Sequence, residues 1–219
     1  MSNNDPLLLI VSSPSGAGKT TLTGELQRRV GNLYFSISHT TREPRKNEQN
    51  GREYHFTSRA EFEALIAQDA FLEWAKVHDN LYGTSKAEIE RARGARGVLF
   101  DVDYQGARRI KSVRPDAISV FILPPNLQTL HDRLKGRNLD SEAIIQKRFR
   151  AACSEIEHYE GFDYILVNDQ LDEAIERLVG IFLAAESRWQ RMAHRAEILL
   201  DQERGYGGTS APQPPAKAE

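Results

Sequence analysis

Leu7-Leu-Leu-Ile-Val-Ser-Ser13-Pro14-Ser-Gly-Ala-Gly-Lys-Thr20 is the stretch whose reading decides the fold. Leu7 to Val11 is a short unbroken apolar run, the pattern of a strand buried on both faces, as parallel sheets require. Beyond Thr20, Leu22, Leu26 and Val30 recur every four residues like the buried stripe of a helix, and Gly31-Asn32 can end it. The opening unit is therefore strand, glycine-rich loop, helix, the context in which such a loop binds phosphate. Gly16 and Gly18 let the backbone curl so that successive N–H groups point into one concavity, and the helix dipole adds to the attraction for an anion. The residues expected around the nucleotide phosphates are Ser13, Pro14, Ser15, Gly16, Ala17, Gly18, Lys19, Thr20 and Thr21. Lys19 is expected to reach the β and γ phosphates, and the Thr20 hydroxyl to ligate the Mg2+ that bridges them. Ser13 stands where the general motif has glycine, which requires a backbone conformation open to a residue with a Cβ.

Working outward, Val98 to Val102, Ile118 to Leu123 and Tyr164 to Val167 repeat the buried-strand signal, with helical patterns between them. This predicts an α/β fold with a parallel sheet between layers of helices. From Tyr34 to Phe56 the texture changes to Thr, Arg, Asn and Gly with short alternating patches, as in an inserted, partly β subdomain. Short helices are expected around Glu61 to Gln68 and Lys86 to Arg93, and a hinged helical hairpin over Leu127 to Tyr159, with its polar break at Gly136 to Ser141. One long helix is predicted from Leu171 to Leu200. The expected division is a core of 6–36, 95–126 and 160–200, an inserted subdomain over 37–94, a lid over 127–159, and flexible ends at 1–5 and 205–219.

Composition narrows the function. Of 219 residues, 40% are hydrophobic and 27% charged, and the formal charge is -2, so there is no global basic field for nucleic acid. No long apolar stretch or basic leader precedes Leu7, so neither membrane attachment nor export is expected. A single cysteine, Cys153, fits the reducing cytoplasm, and the six histidines show no metal-ligand spacing.

A second site is suggested by Ser38-His-Thr-Thr-Arg-Glu-Pro-Arg45, in which Arg42 and Arg45 can grip a phosphate in bidentate fashion. Gly51-Arg-Glu-Tyr54, Glu73-Trp74, Tyr82-Gly-Thr84, Asp101-Val-Asp-Tyr-Gln-Gly106, the Arg133 to Arg148 segment and Val167-Asn-Asp169 follow in order. Together with the loop from Pro14 to Thr20, these segments closely resemble the guanylate kinase family over about residues 6 to 185. The resemblance implies the P-loop nucleoside monophosphate kinase fold, with an inserted α+β GMP-binding subdomain and a helical lid. It implies that the substrates are ATP and GMP or dGMP, with Mg2+ carried on ATP, and it leaves a homo-oligomer open.

By the same resemblance, Arg42, Arg45, Tyr54 and Tyr82 match residues that bind the GMP phosphate. Ser38, Glu73, Thr84 and Asp103 match those around the guanine, with Gly83 and Gly106 beside them. Arg133, Arg137 and Arg148 match lid arginines at the ATP phosphates, and Asn168 falls on the ATP side. Lys19, Arg42, Arg137 and Arg148 are the expected catalytic cations, and Asp101 is expected near the Mg2+ in the manner of a Walker-B acid. Two alternatives share much of the pattern: a phosphokinase acting on a ribose phosphate, and a catalytically inactive guanylate-kinase-like interaction module.

Overall fold

The computed structural model describes residues 5–77, 79–136 and 141–206. The chain runs through β1 (Leu7–Ser12), α1 (Lys19–Val30), β2 (Leu33–Phe35), β3 (His39–Thr40), β4 (His55–Phe56), α2 (Arg59–Ala67), β5 (Phe71–Val77) and β6 (Asn80–Ser85). It continues through α3 (Ala87–Arg91), β7 (Gly97–Asp101), α4 (Tyr104–Val113), β8 (Ile118–Leu123), α5 (Leu127–Lys135) and α6 (Glu142–Ile156). After a 3-10 turn at Tyr159–Gly161 come β9 (Tyr164–Val167), α7 (Leu171–Glu186) and α8 (Trp189–Tyr206).

The larger sheet has the order β2-β7-β1-β8-β9, and every pairing in it is parallel. Strand alternation explains the two helical layers around it. Leu7, Leu9 and Val11 of β1 face α1 and α7, meeting Leu22, Leu26, Leu178 and Phe182. Leu8 and Ile10 point the other way, toward Ala107 and Ile110 of α4. Each face of the central strand is thus sealed by helices, as its unbroken apolar sequence requires.

The smaller sheet, β4-β3-β6-β5, comes from the chain between β2 and β7, and α2 covers it through Phe62, packed on Phe71 and Leu81. The helix is started by a reciprocal cap: the Glu61 N–H donates to Ser58 Oγ at 3.2 Å and the Ser58 N–H to Glu61 Oε2 at 2.8 Å. The helical pair α5 and α6 has a small core of its own, Leu130, Leu134 and Ala152.

Two readings of the sequence are corrected. β9, expected to be buried on both faces, is an edge strand with Ile165 48% and Val167 42% exposed. A run of four apolar residues does not reveal whether a further strand lies beside it. The helix predicted from Leu171 to Leu200 is two helices, broken at Ser187–Arg188. The Ser187 hydroxyl donates to the Leu183 carbonyl at 2.9 Å, and the stripe that buries α7 ends at Ala185. The apolar spacing continues into α8, so periodicity alone conceals the break.

Candidate functional site

Ser13 to Gly18 join β1 to α1, and the conformation of this loop is set by its glycines. Gly16 and Gly18 both have φ of 96°, whereas the only described residues other than glycine with positive φ are Asn32 and Asp69. Ser13 therefore needs no left-handed backbone, which is why serine is tolerated at the motif's first position. Gly18 also occupies the N-cap of α1 and has no side chain to satisfy the first-turn N–H groups, which leaves them available to an anion.

Pro14 has no backbone N–H, so its contribution to the loop is made through its carbonyl and its ring. Pro14 is buried, and its carbonyl accepts the Ala17 N–H at 3.2 Å and the Ser13 hydroxyl at 3.1 Å. Its part is to close the turn that shapes the loop, while the donors come from its neighbours. The loop is also held from behind. Asn168, 5% exposed, donates its Nδ2 to Ala17 O at 2.8 Å, and Arg133 reaches Ala17 O at 3.3 Å and Asn168 O at 3.4 Å.

Lys19 leaves the first turn of α1 and crosses to the end of β7, where it forms an ion pair with Asp101 and donates to Val102 O at 3.3 Å. β7 adjoins β1 in parallel register, with Val11 opposite Asp101, so the carboxylate emerges beside the loop at the carboxyl ends of the strands. Thr20 and Thr21 are exposed on the same first turn. Asp103 does not continue the strand: it caps α4, its Oδ1 accepting the Gly106 N–H at 2.8 Å. Asp101 and Asp103 nevertheless line one cavity of about 310 Å3 together with Lys19, Ser38, Tyr54, Glu73, Tyr82 and Gly106.

Glu73 is 7% exposed at one wall of this cavity. The β5–β6 register shifts between Phe71 and Glu73, and beyond the shift Glu73 stands opposite Thr84. The Thr84 hydroxyl donates to Glu73 Oε1 at 2.8 Å, and Ser38 Oγ lies 3.4 Å from Thr84 Oγ1. Burial pushes the Glu73 pKa up to about 7; the Thr84 bond opposes this and the nearby Asp103 adds to it. Gly83 has no room for a Cβ, which would lie 3.0 Å from Phe62, Phe71 and Trp74 alike.

Arg42 Nη2 lies 2.9 Å from both carboxylate oxygens of Glu48, and its guanidinium lies near the Tyr54 and Phe56 rings. Tyr54 and Tyr82 meet edge to face, 6.0 Å between centroids. Glu48 also accepts the Arg45 N–H at 2.8 Å. Burial opposes its ionisation, but the Arg45 N–H and Arg42 hold its pKa below the ordinary value. Arg45 is exposed and does not line the cavity. On the opposite side, Arg148 of α6 reaches Ser15 Oγ at 3.4 Å. Arg137 lies outside the described residues.

Three carboxylates that hold residues of the candidate site escaped the sequence reading. Glu48 orients Arg42. Glu155 of α6 accepts the Ser15 N–H at 3.1 Å. Glu88, fully buried, accepts the Ile37 N–H at 2.7 Å and the Tyr34 hydroxyl at 3.2 Å, which fixes the residue next to Ser38. Glu48 lies six residues from Arg42, inside a segment already singled out, and that closeness was a usable signal. Glu88 and Glu155 carry no local signal, since each sits in an ordinary polar helix.

Comparison with known proteins identifies the family. The profile of the family described as guanylate kinase matches residues 6–185. A guanylate kinase of Dechloromonas aromatica is 47% identical over 192 residues, covering 86% of this chain and 95% of its own. One of Rickettsia bellii is 47% identical over 184 residues, covering 84% and 96%. The crystal structure of guanylate kinase from Anaplasma phagocytophilum superimposes with a TM-score of 0.68 at 28% identity, covering 86% of this chain and 90% of that one. A profile match over most of the chain, together with relatives of this similarity and coverage, places it without ambiguity: this chain belongs to the guanylate kinase family.

Proposed function

We propose that the protein transfers the γ-phosphoryl group of ATP to GMP or dGMP, giving ADP and GDP or dGDP, as a cytoplasmic enzyme of purine nucleotide metabolism. The observation that carries this reading is one cavity lined both by Lys19 of the phosphate-binding loop and by Glu73. Ionised Glu73 can accept both adjacent donors of guanine, N1–H and the exocyclic amine. Adenine presents an acceptor at N1 and would leave the buried carboxylate unpaired, which is a strong basis for rejection. Ser38 and Thr84 complete the base-reading wall, with Asp103 and Gly106 on the α4 side. Tyr54, Tyr82, Arg42 and Arg45 take the GMP phosphate.

The attacking group is a phosphate oxygen, and a monoester with a second pKa of ~6 is largely dianionic at neutral pH. No general base is needed, so the chain's task is alignment and charge neutralisation. Lys19 leaves Asp101 for the ATP phosphates, while Arg148 approaches the transferred group from α6. Arg133 keeps Ala17 and Asn168 in place behind the loop, and Arg137 is assigned to the ATP phosphates as well. The Thr20 hydroxyl and Asp101 are hard oxygen donors at adjoining strand and helix ends, a set that would hold Mg2+. When bound, the ion would neutralise phosphate charge. Closure of the α5–α6 pair excludes water from the transfer.

Among the described residues no helix is long and apolar enough to cross a membrane. The loop lysine, the acidic end of β7 and Arg148 are all retained at one site, which favours an active kinase over an interaction module. A coupled assay with ATP and each of GMP, dGMP, AMP, CMP, UMP and ribose bisphosphate tests the assignment. Turnover with GMP and dGMP is expected. Turnover with ribose bisphosphate instead, or with none of these acceptors, would overturn it.

A further inference from the structure

The donors that await ATP are already engaged by carboxylates of the chain itself. Lys19 is paired with Asp101, and the Ser15 N–H donates to Glu155 Oε2 at 3.1 Å across 140 residues of sequence. Glu155 belongs to α6, the helix that also carries Arg148, and the seven-residue spacing sets the two about two turns apart on one face. Both reach the same loop residue, Arg148 through Ser15 Oγ at 3.4 Å and Glu155 through the backbone. The Glu155 carboxyl is half-buried, and burial raises its pKa, opposed first by the Ser15 N–H bond and then by Lys19, with Asp103 adding to the rise. An anion is thus held against the mouth of a loop built to attract anions.

We infer that Glu155 is a positioning residue that docks α6 on the phosphate-binding loop while the donor site is empty and is displaced when a nucleoside triphosphate enters. The physical reason is like-charge competition. A triphosphate brings several anionic oxygens to the same N–H groups, and a carboxylate beside them loses its donor and meets repulsion. Release of Glu155 frees α6 to reposition Arg148, so that the arginine moves only once ATP is present to receive it. This ties motion of α6 to donor binding and limits the time during which a closed site holds water in place of nucleotide.

The inference rests on the reading of Ser13 to Thr20 as the triphosphate site, and the experiment separates the two. Calorimetry with a non-hydrolysable ATP analogue, and separately with GMP, is carried out on the wild type, E155Q, E155A and K19A. E155Q keeps the shape of the side chain but removes its charge, and thermal melts verify that each variant is folded. Loss of the competing contact is expected to tighten analogue binding about fivefold in E155A, the scale of one ordinary net hydrogen bond. A smaller tightening is expected in E155Q, with GMP affinity unchanged in both. A purely structural role for Glu155 would weaken binding or leave it as it was, and either result in folded E155Q overturns the inference while K19A still binds poorly. If K19A binds the analogue as the wild type does, the loop reading itself falls, and the role of Glu155 with it.

Discussion

The Thr84 hydroxyl donates to Glu73 Oε1 at 2.8 Å in a buried contact across two antiparallel strands. Glu73 is thereby held at the cavity wall, where burial drives its pKa to about 7. In the proposed reading, GMP is bound by the ionised form. Affinity for GMP is therefore expected to fall as pH drops from about 8 to about 6, on either side of that pKa, beyond the change due to the phosphate of GMP. In E73Q this excess pH dependence should vanish, GMP should bind at least about tenfold more weakly, and selectivity over AMP should shrink. Titration calorimetry at several pH values measures all three.

The same group makes a stability prediction of definite sign. A carboxyl whose folded pKa is raised from 4.5 to about 7 favours the folded state when neutral, and that contribution is lost as pH rises through 7. E73Q, which is always neutral, is expected to melt at a higher temperature than the wild type at about pH 8, and the difference should narrow toward about pH 5. Equal melting temperatures on the alkaline side would contradict the burial argument.

Gly18→Ala should damage the donor site and the fold together. The backbone there has φ of +96°, and a Cβ would collide with Asn168 Nδ2, the group that holds Ala17 O. Strain of this kind costs about 2 kcal/mol, or about 4–8 °C in Tm for a chain of this size. ATP affinity should fall with it, as read by calorimetry alongside a thermal melt.

Glu48→Gln removes the charge that orients Arg42 at two points and weakens the anchor of the Arg45 N–H. The KM for GMP is expected to rise about tenfold, equivalent to about 1.4 kcal/mol, with the KM for ATP unchanged. Steady-state kinetics with each substrate varied in turn distinguishes this from a general loss of structure.

Arg148→Ala should lower kcat by about two orders of magnitude while changing the GMP dissociation constant by less than about twofold. Single-turnover rates set beside GMP titrations make the comparison. An unchanged rate would remove Arg148 from the reaction.

The phosphate-binding loop was legible in the sequence because its function depends on contiguous backbone. Gly16 and Gly18 act through dihedrals set locally, Lys19 and Thr20 follow them directly at the start of the helix, and β1 announces itself by being apolar on both faces. Pro14 shows the limit of reading a motif as a block: membership of the run says nothing of whether a residue donates or, as here, closes the turn through its carbonyl. The parallel sheet followed from the same apolar runs. The full acceptor set was legible only through resemblance to a family, since an isolated Glu73 or Tyr54 has no local pattern that marks it as a site. What only the tertiary structure decided were the pairings between distant segments: Lys19 with Asp101, Ser15 with Glu155, and Glu73 with Thr84 across a shifted register. It also decided that β9 lies at an edge and that the last predicted helix breaks at Ser187–Arg188. The physical reason is common to all of these. Local conformation is written in adjacent residues, whereas burial, charge pairing and strand neighbours depend on which surfaces meet once the chain has folded.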